Sequence, residues 1–193
     1  MAGYELNYEA LDEDEKKKGA HASEEFLDWV ETIIYSFFAV ILIFTFLLRI
    51  AYVDGESMLP TLVDGDRLIV SYIGYTPKVG DIVIVRSEQL NKAIVKRVIA
   101  VENQTVDIDA EAGTVKVDGV LLDEDYILEA TKEDVGFHDY PVTVPENCVF
   151  VMGDNRMNST DSRDPRVGFV SEEDILGKVV LRIFPFDSIG TPD

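Results

Sequence analysis

The chain has 193 residues, 47% of them hydrophobic, and a formal net charge of −20. That length and apolar content suffice for one globular domain plus an anchor and exclude wholesale disorder. The acidic balance excludes a nucleic-acid partner, because phosphate contacts need clustered Lys and Arg.

Residues 1–28 read as a solvated acidic tail: residues 1–31 hold ten acidic and three basic side chains, a net of −7. The run Thr32–Leu48 follows, 17 residues without a charge. As a helix it would be about 25 Å long, the short end of a membrane span. Trp29, Val30 and Ile50 extend it, so one N-terminal transmembrane helix is expected over 29–50. Leu48-Arg49-Ile50 is a poor cleavage site, which disfavours a removable leader. Lys16, Lys17 and Lys18 precede the run and only Arg49 follows closely, so the N-terminus is expected in the cytoplasm and residues 51–193 outside.

From residue 51 onward the pattern is β. Strands are predicted at 67–71, 81–86, 93–101, 105–109, 114–117, 148–152 and 178–184, each rich in β-branched residues and bounded by Gly, Pro, Asn or Asp. A single helical turn is expected within 170–178, opened by Ser171. The fold class is therefore mainly β, an antiparallel barrel-like domain over 51–193 behind one anchor. Cys148, the one cysteine, sits in an apolar strand with no histidine nearby in sequence and reads as a structural thiol.

Three stretches carry chemistry. "VDGESMLPTL", Val53 to Leu62, places Ser57 in a glycine-containing turn just past the apolar run. It lacks the second glycine of a G-x-S-x-G elbow, and no helix follows. A serine nucleophile needs a base. His21 lies on the far side of the expected membrane, and His138 sits in a polar loop pattern. Lys96, in "AIVKRVIAV", has Ile94, Val98 and Ala100 on its face of the strand, with Arg97 pointing the other way. Apolar burial would lower its pKa and free it to accept a proton. A lysine protecting a sheet edge fits the same local pattern. The third stretch, Met152 to Val170, is dense in Asp, Asn, Arg and Ser. It lacks the ligand spacing of a calcium loop, so no metal is expected, and Asp161 with Arg163 or Arg156 could pair to stiffen it.

Taken together, "GESMLPTL", "DIVIV", "IVKRVIA" and "GDNRMNSTDSR…GFV" closely resemble the type I signal peptidases, the Ser-Lys membrane proteases. The 39-residue spacing from Ser57 to Lys96 resembles the compact, Gram-positive-like form with one anchor. The resemblance implies Ser57 as nucleophile, Lys96 as general base and Ser159 as the hydroxyl that orients the lysine. It implies Asp161 and Arg163 as a supporting ion pair, Arg97 and Arg156 as structural, and Gly153 and Asp154 as the opening of the supporting loop. Met58 and Pro60 would shape the turn and, with Ile82 and Ile84 of "DIVIV", wall the substrate site. No cofactor is implied. The implied partners are secretory preproteins with small residues at −1 and −3, and membrane lipid. The chain departs from the family at Gly55, where some members carry a serine that lends its hydroxyl to the oxyanion hole. A non-catalytic binding module built on the same residues remains the alternative of a different class.

Overall fold

A computed structural model describes residues 27–42, 48–132 and 138–192. The chain divides into two units, residues 1–46 and 47–193. In the first, residues 27–42 form an α-helix with apolar side chains exposed all round, Trp29, Ile33, Phe37 and Phe38 among them. Thr32 and Ser36 bond their hydroxyls to carbonyls one turn back, which keeps them compatible with an apolar helix.

Of the expected anchor over 29–50, residues 43–47 lie outside the described residues, and its last three residues are corrected to a strand. Among the described residues, no helix is long and apolar enough to cross a membrane. Residues 48–50 belong to a strand, β1 (Leu48–Tyr52), paired antiparallel with β2 (Arg67–Ser71). An uninterrupted apolar run does not distinguish helix from strand; pairing with β2 decides its last residues.

The second unit contains β3 (Ile82–Ser87), β4 (Lys92–Ala100), β5 (Thr105–Asp109), β6 (Thr114–Val117), β7 (Val120–Leu121), β8 (Val142–Thr143), β9 (Cys148–Met152), β10 (Val170–Ser171) and β11 (Ile175–Phe184). They build two antiparallel sheets, β1-β2-β11-β3-β4-β9-β10 and β7-β6-β5-β8. Both sheets are open, so the barrel-like expectation is corrected to two sheets with free edges. The last strand, β11, inserts between β2 and β3, which closes a long loop. The expected turn is a 3-10 turn, Glu172–Asp174, capped by the Ser171 hydroxyl accepting from Glu173 N. Asp118-Gly119 joins β6 to β7 with both residues at positive φ, the geometry that matches the twist of a two-residue hairpin.

β4 positions the site. Ile94 and Val98 pack with Val83, Val85, Val149 and Val151, whereas Val95 packs on the opposite cluster of Met58, Leu62, Leu68 and Ile84. An irregularity between Val98 and Ala100 in the pairing with β9 breaks the alternation. Ala100 therefore joins a third cluster with Val106, Val115 and Phe150, away from Val98.

Candidate active site

The Ser57 turn is fixed at both ends. Val53 N donates to Asp66 O at 2.9 Å, and Gly65 N donates back to Val53 O at 3.0 Å. Gly55 has φ +102°, open to glycine at low cost, and its N–H donates to Asp64 Oδ1 at 2.8 Å. Met58 and Leu62, both buried, peg the far side of the turn into the core, and Leu62 N donates to Met58 O at 2.9 Å. Ser57 stands half-buried at the apex. Its own N–H has no protein acceptor among the described residues.

Lys96 reaches the apex from β4. The residue is 2% exposed, and its Nζ donates to Ser57 Oγ at 2.7 Å. Burial lowers its pKa from 10.5 to about 8; Asp161 and Asp154 pull it back up, and Lys92 and Arg163 add to the lowering. Arg97, its neighbour, is also buried, at 4%. Alternation alone sent Arg97 away from Lys96 to the opposite face, and it does leave by that face. What pattern could not supply is its partner: Arg97 Nε and Nη2 grip Asp154 Oδ1 and Oδ2 at 2.9 and 2.7 Å, and Nη1 donates to Gly80 O.

The loop after β9 forms the floor. Asn155 N donates to Ser57 O at 3.0 Å, and Asn155 Nδ2 donates to Glu56 O at 3.1 Å. Asp154 Oδ2 accepts from Thr61 Oγ1 at 2.6 Å. Asp161 accepts from Gly153 N at 3.0 Å and from Arg163 Nε and Nη2, both at 2.8 Å. Burial pushes the Asp161 carboxyl up, but Arg163, the Gly153 N–H and Ser159 outweigh it, so it lies below the ordinary value and stays ionised. Of the two candidate partners, Arg163 holds Asp161; Arg156 pairs with Glu124 instead. Ser159 Oγ is buried and, among the described residues, makes no hydrogen bond of good geometry, though it lies close enough to Asp161 to help hold that carboxyl down.

A cleft of about 570 Å³ opens over the pair. Val53, Met58, Leu90, Ile94 and Val95 give it apolar walls, and Ser159 closes one side. Met58 thus lines it, but Pro60, Ile82 and Ile84 do not: Ile82 and Ile84 are buried beneath the turn, in the cluster that Met58 also enters. The walls come instead from β4 and the stretch before Ser57, because the side chains of Ile82 and Ile84 are packed under Met58, Leu62 and Leu68.

His138 lies elsewhere, its ring against Tyr140, Phe150 and Phe169 with Nε2 3.1 Å from Ser162 O; His21 lies outside the described residues. Cys148 is half-buried beside the second sheet, and burial pushes its thiol up. Among the described residues no group of three or more His, Cys, Asp or Glu is placed to hold a metal ion. Sequence reasoning missed Asn155, Thr61, Glu124 and Tyr126, whose roles depend on contacts far along the chain.

The family model "Signal peptidase, peptidase S26" matches residues 26–184. "Signal peptidase I P" of Bacillus subtilis subsp. natto is 36% identical over 189 residues, covering 93% of this chain and 97% of the relative. "Probable signal peptidase I-1" of Synechocystis sp. is 42% identical over 146 residues, 69% of this chain and 70% of the relative. A crystal structure of a signal peptidase I from Enterococcus faecalis aligns at 31% identity and TM-score 0.43, over 54% of this chain and 97% of that one. With a family model spanning most of its length and a relative matched nearly end to end, the chain belongs to the signal peptidase family, peptidase S26.

Proposed function

We propose that this protein is a membrane-anchored serine endopeptidase that removes N-terminal signal peptides from secretory preproteins, with Ser57 as nucleophile and Lys96 as general base. One observation carries the reading: a lysine 2% exposed, with its pKa lowered by burial, has its Nζ 2.7 Å from a half-buried serine at the base of a cleft.

The chemistry follows from that geometry. Neutral Lys96 takes the Ser57 hydroxyl proton as Oγ attacks the scissile carbonyl. The developing oxyanion meets the Ser57 N–H, which no protein group occupies among the described residues. The proton passes from Lys96 to the leaving amine of the mature protein, leaving an acyl-enzyme on Ser57. Water then gives a proton to Lys96 and attacks the ester, Lys96 returns that proton to Ser57 Oγ as the intermediate collapses, and the freed signal peptide departs. Asp161 is held in the fork of Arg163 and Asp154 in that of Arg97, so neither is placed to take the Ser57 proton.

The substrate binds extended along β4. Residues 92–96 pair with β3 on one edge, while β9 pairs only from Arg97 onward, which leaves the other edge to a peptide strand. Kinship with the signal peptidases supports small residues at −1 and −3. The apolar run Thr32–Leu48, with three lysines before it, supports a single-pass membrane attachment with the N-terminus cytoplasmic and residues from β1 onward outside. Membrane lipid is then a partner, and attachment concentrates enzyme and signal peptide in one plane.

The test is a membrane-embedded cleavage assay on a preprotein with Ala at −1 and −3, with Ser57→Ala and Lys96→Ala run alongside. A single cut after the −1 Ala, absent in both variants, is the expected result. Normal cutting by Lys96→Ala would remove lysine as the base, and silence of the wild type across several preproteins would favour a binding module.

A further inference from the structure

The segment between β7 and β8 holds contacts that the chemistry above does not use. Residues 124–131 lie as a strap against the groups that hold Ser57 and Lys96. Glu124 accepts from Arg156 Nη2, and Thr131 Oγ1 accepts from Arg156 Nη1 at 2.8 Å. Ile127 bridges Pro60, three residues past Ser57. Leu128 N donates to Asp154 O at 3.1 Å. Between these points the Tyr126 ring faces two cations, with Arg97 Cζ 4.0 Å and Arg156 Cζ 5.9 Å from its centroid.

We infer that Tyr126 is a positioning residue for the Ser57–Lys96 pair, its ring holding the Arg97 guanidinium on Asp154 and thereby the Ser57 turn against β4. The inference rests on the protease reading of that pair. Arg97 is the residue after Lys96, so its placement fixes the backbone from which Lys96 projects. Asp154, gripped by Arg97, in turn accepts from Thr61 of the Ser57 turn. An aromatic face attracts a desolvated guanidinium and excludes water from its open side. Without the ring, water reaches Arg97, its fork on Asp154 competes with solvent, and the tie to Thr61 loosens. Tyr126 does not line the cleft, so it acts on the reaction through Arg97 and Asp154 and not through substrate. Burial and Glu124 push its hydroxyl up to about 12, so the ring carries no charge under assay conditions. Among the described residues the hydroxyl makes only a long 3.5 Å contact with Glu124, which leaves the ring face as the working part.

The test compares the full chain with Tyr126→Phe and Tyr126→Leu in the preprotein assay, and follows Lys96 by NMR titration of carbon-labelled lysine, assigned with Lys96→Met. Phe keeps the ring and should keep kcat within about twofold, whereas Leu should lower kcat about tenfold with KM little changed, the pattern of misplaced reacting groups. In the Leu variant the Lys96 midpoint should rise from about 8, as water relieves its burial and Asp154, less engaged by Arg97, adds to the pull of Asp161 against Lys92 and Arg163. Wild-type kcat and an unmoved midpoint in a folded Leu variant would overturn the inference, as would an equal loss in Phe. Should Tyr126→Leu not fold, Tyr126→Met carries the same comparison. If the wild type cuts no preprotein, the protease reading fails on its own. The Lys96 midpoint then still decides: a rise in Leu but not in Phe upholds the positioning role, and no rise removes it.

Discussion

Gly153 lies against Ser57 with no room for a side chain between them. A Cβ at position 153 would stand 2.4 Å from the Ser57 carbonyl oxygen and 2.3 Å from Ser159 Oγ. That carbonyl already accepts from Asn155 N, so it cannot retreat without giving up a bond.

Gly153→Ala should therefore displace Ser57 relative to Lys96. A shift near 1 Å at a reacting group costs on the order of 100-fold in rate. The expected result is a loss of kcat of that order together with a lowered melting temperature. A Gly153→Ala protein with wild-type kinetics would show that the floor loop yields easily.

Lys96 sets the pH dependence. Its neutral form is the base, so kcat/KM should climb about tenfold per pH unit below the inflection and level off above it. The inflection is expected near 8, where burial places the ammonium. Stability follows the same group: its folded-state pKa lies below the ordinary 10.5, so the unfolded chain binds more protons between the two values. This contribution is fully present above 10.5 and is lost as pH falls through 8. Lys96→Met should thus melt above the wild type at neutral pH, with the gap narrowing toward pH 10.5. A pH-rate profile flat through 8 would exclude Lys96 as the titrating base.

Arg163→Met should leave Asp161 buried without its forked partner. Breaking a buried pair by removing one member costs about 3–5 kcal/mol. Urea unfolding of the two proteins would read the difference. A loss within about 1 kcal/mol, the range of exposed pairs, would mean that water or another cation takes over from Arg163.

Ser159→Ala separates stability from rate. The Ser159 hydroxyl is buried without a good hydrogen bond among the described residues, and its help to the Asp161 carboxylate offsets the cost of burying it, so its removal should change the melting temperature little. If that hydroxyl turns toward Lys96 during catalysis, as kinship with the signal peptidases suggests, kcat should fall about tenfold while the fold is undisturbed. Full activity in Ser159→Ala would confine the residue to packing against Gly153.

Much of the fold was legible because strand periodicity is local. Residues 67–71, 105–109, 114–117 and 148–152 match the observed β2, β5, β6 and β9 end to end. The short strands β7, β8 and β10 were not legible, since two residues carry no period. β7 carries one local signal, the Asp118-Gly119 hairpin turn. β1 overlaps the expected anchor because Leu48 and Ile50 continue the apolar run before them.

The sequence by itself determined which chemistry is present: a serine in a glycine-containing turn, a lysine in an apolar strand, and a polar loop that begins where a buried strand ends. Those are properties of each segment and its immediate neighbours. Tertiary structure alone decided what they do together. It inserted β11 between β2 and β3, moved the cleft walls from Ile82 and Ile84 to β4, and placed Tyr126 over Arg97. The physical reason is that burying a charge is costly until its partner arrives. Arg97 meets Asp154 across 57 residues of chain and Lys96 meets Ser57 across 39, distances over which no local pattern extends.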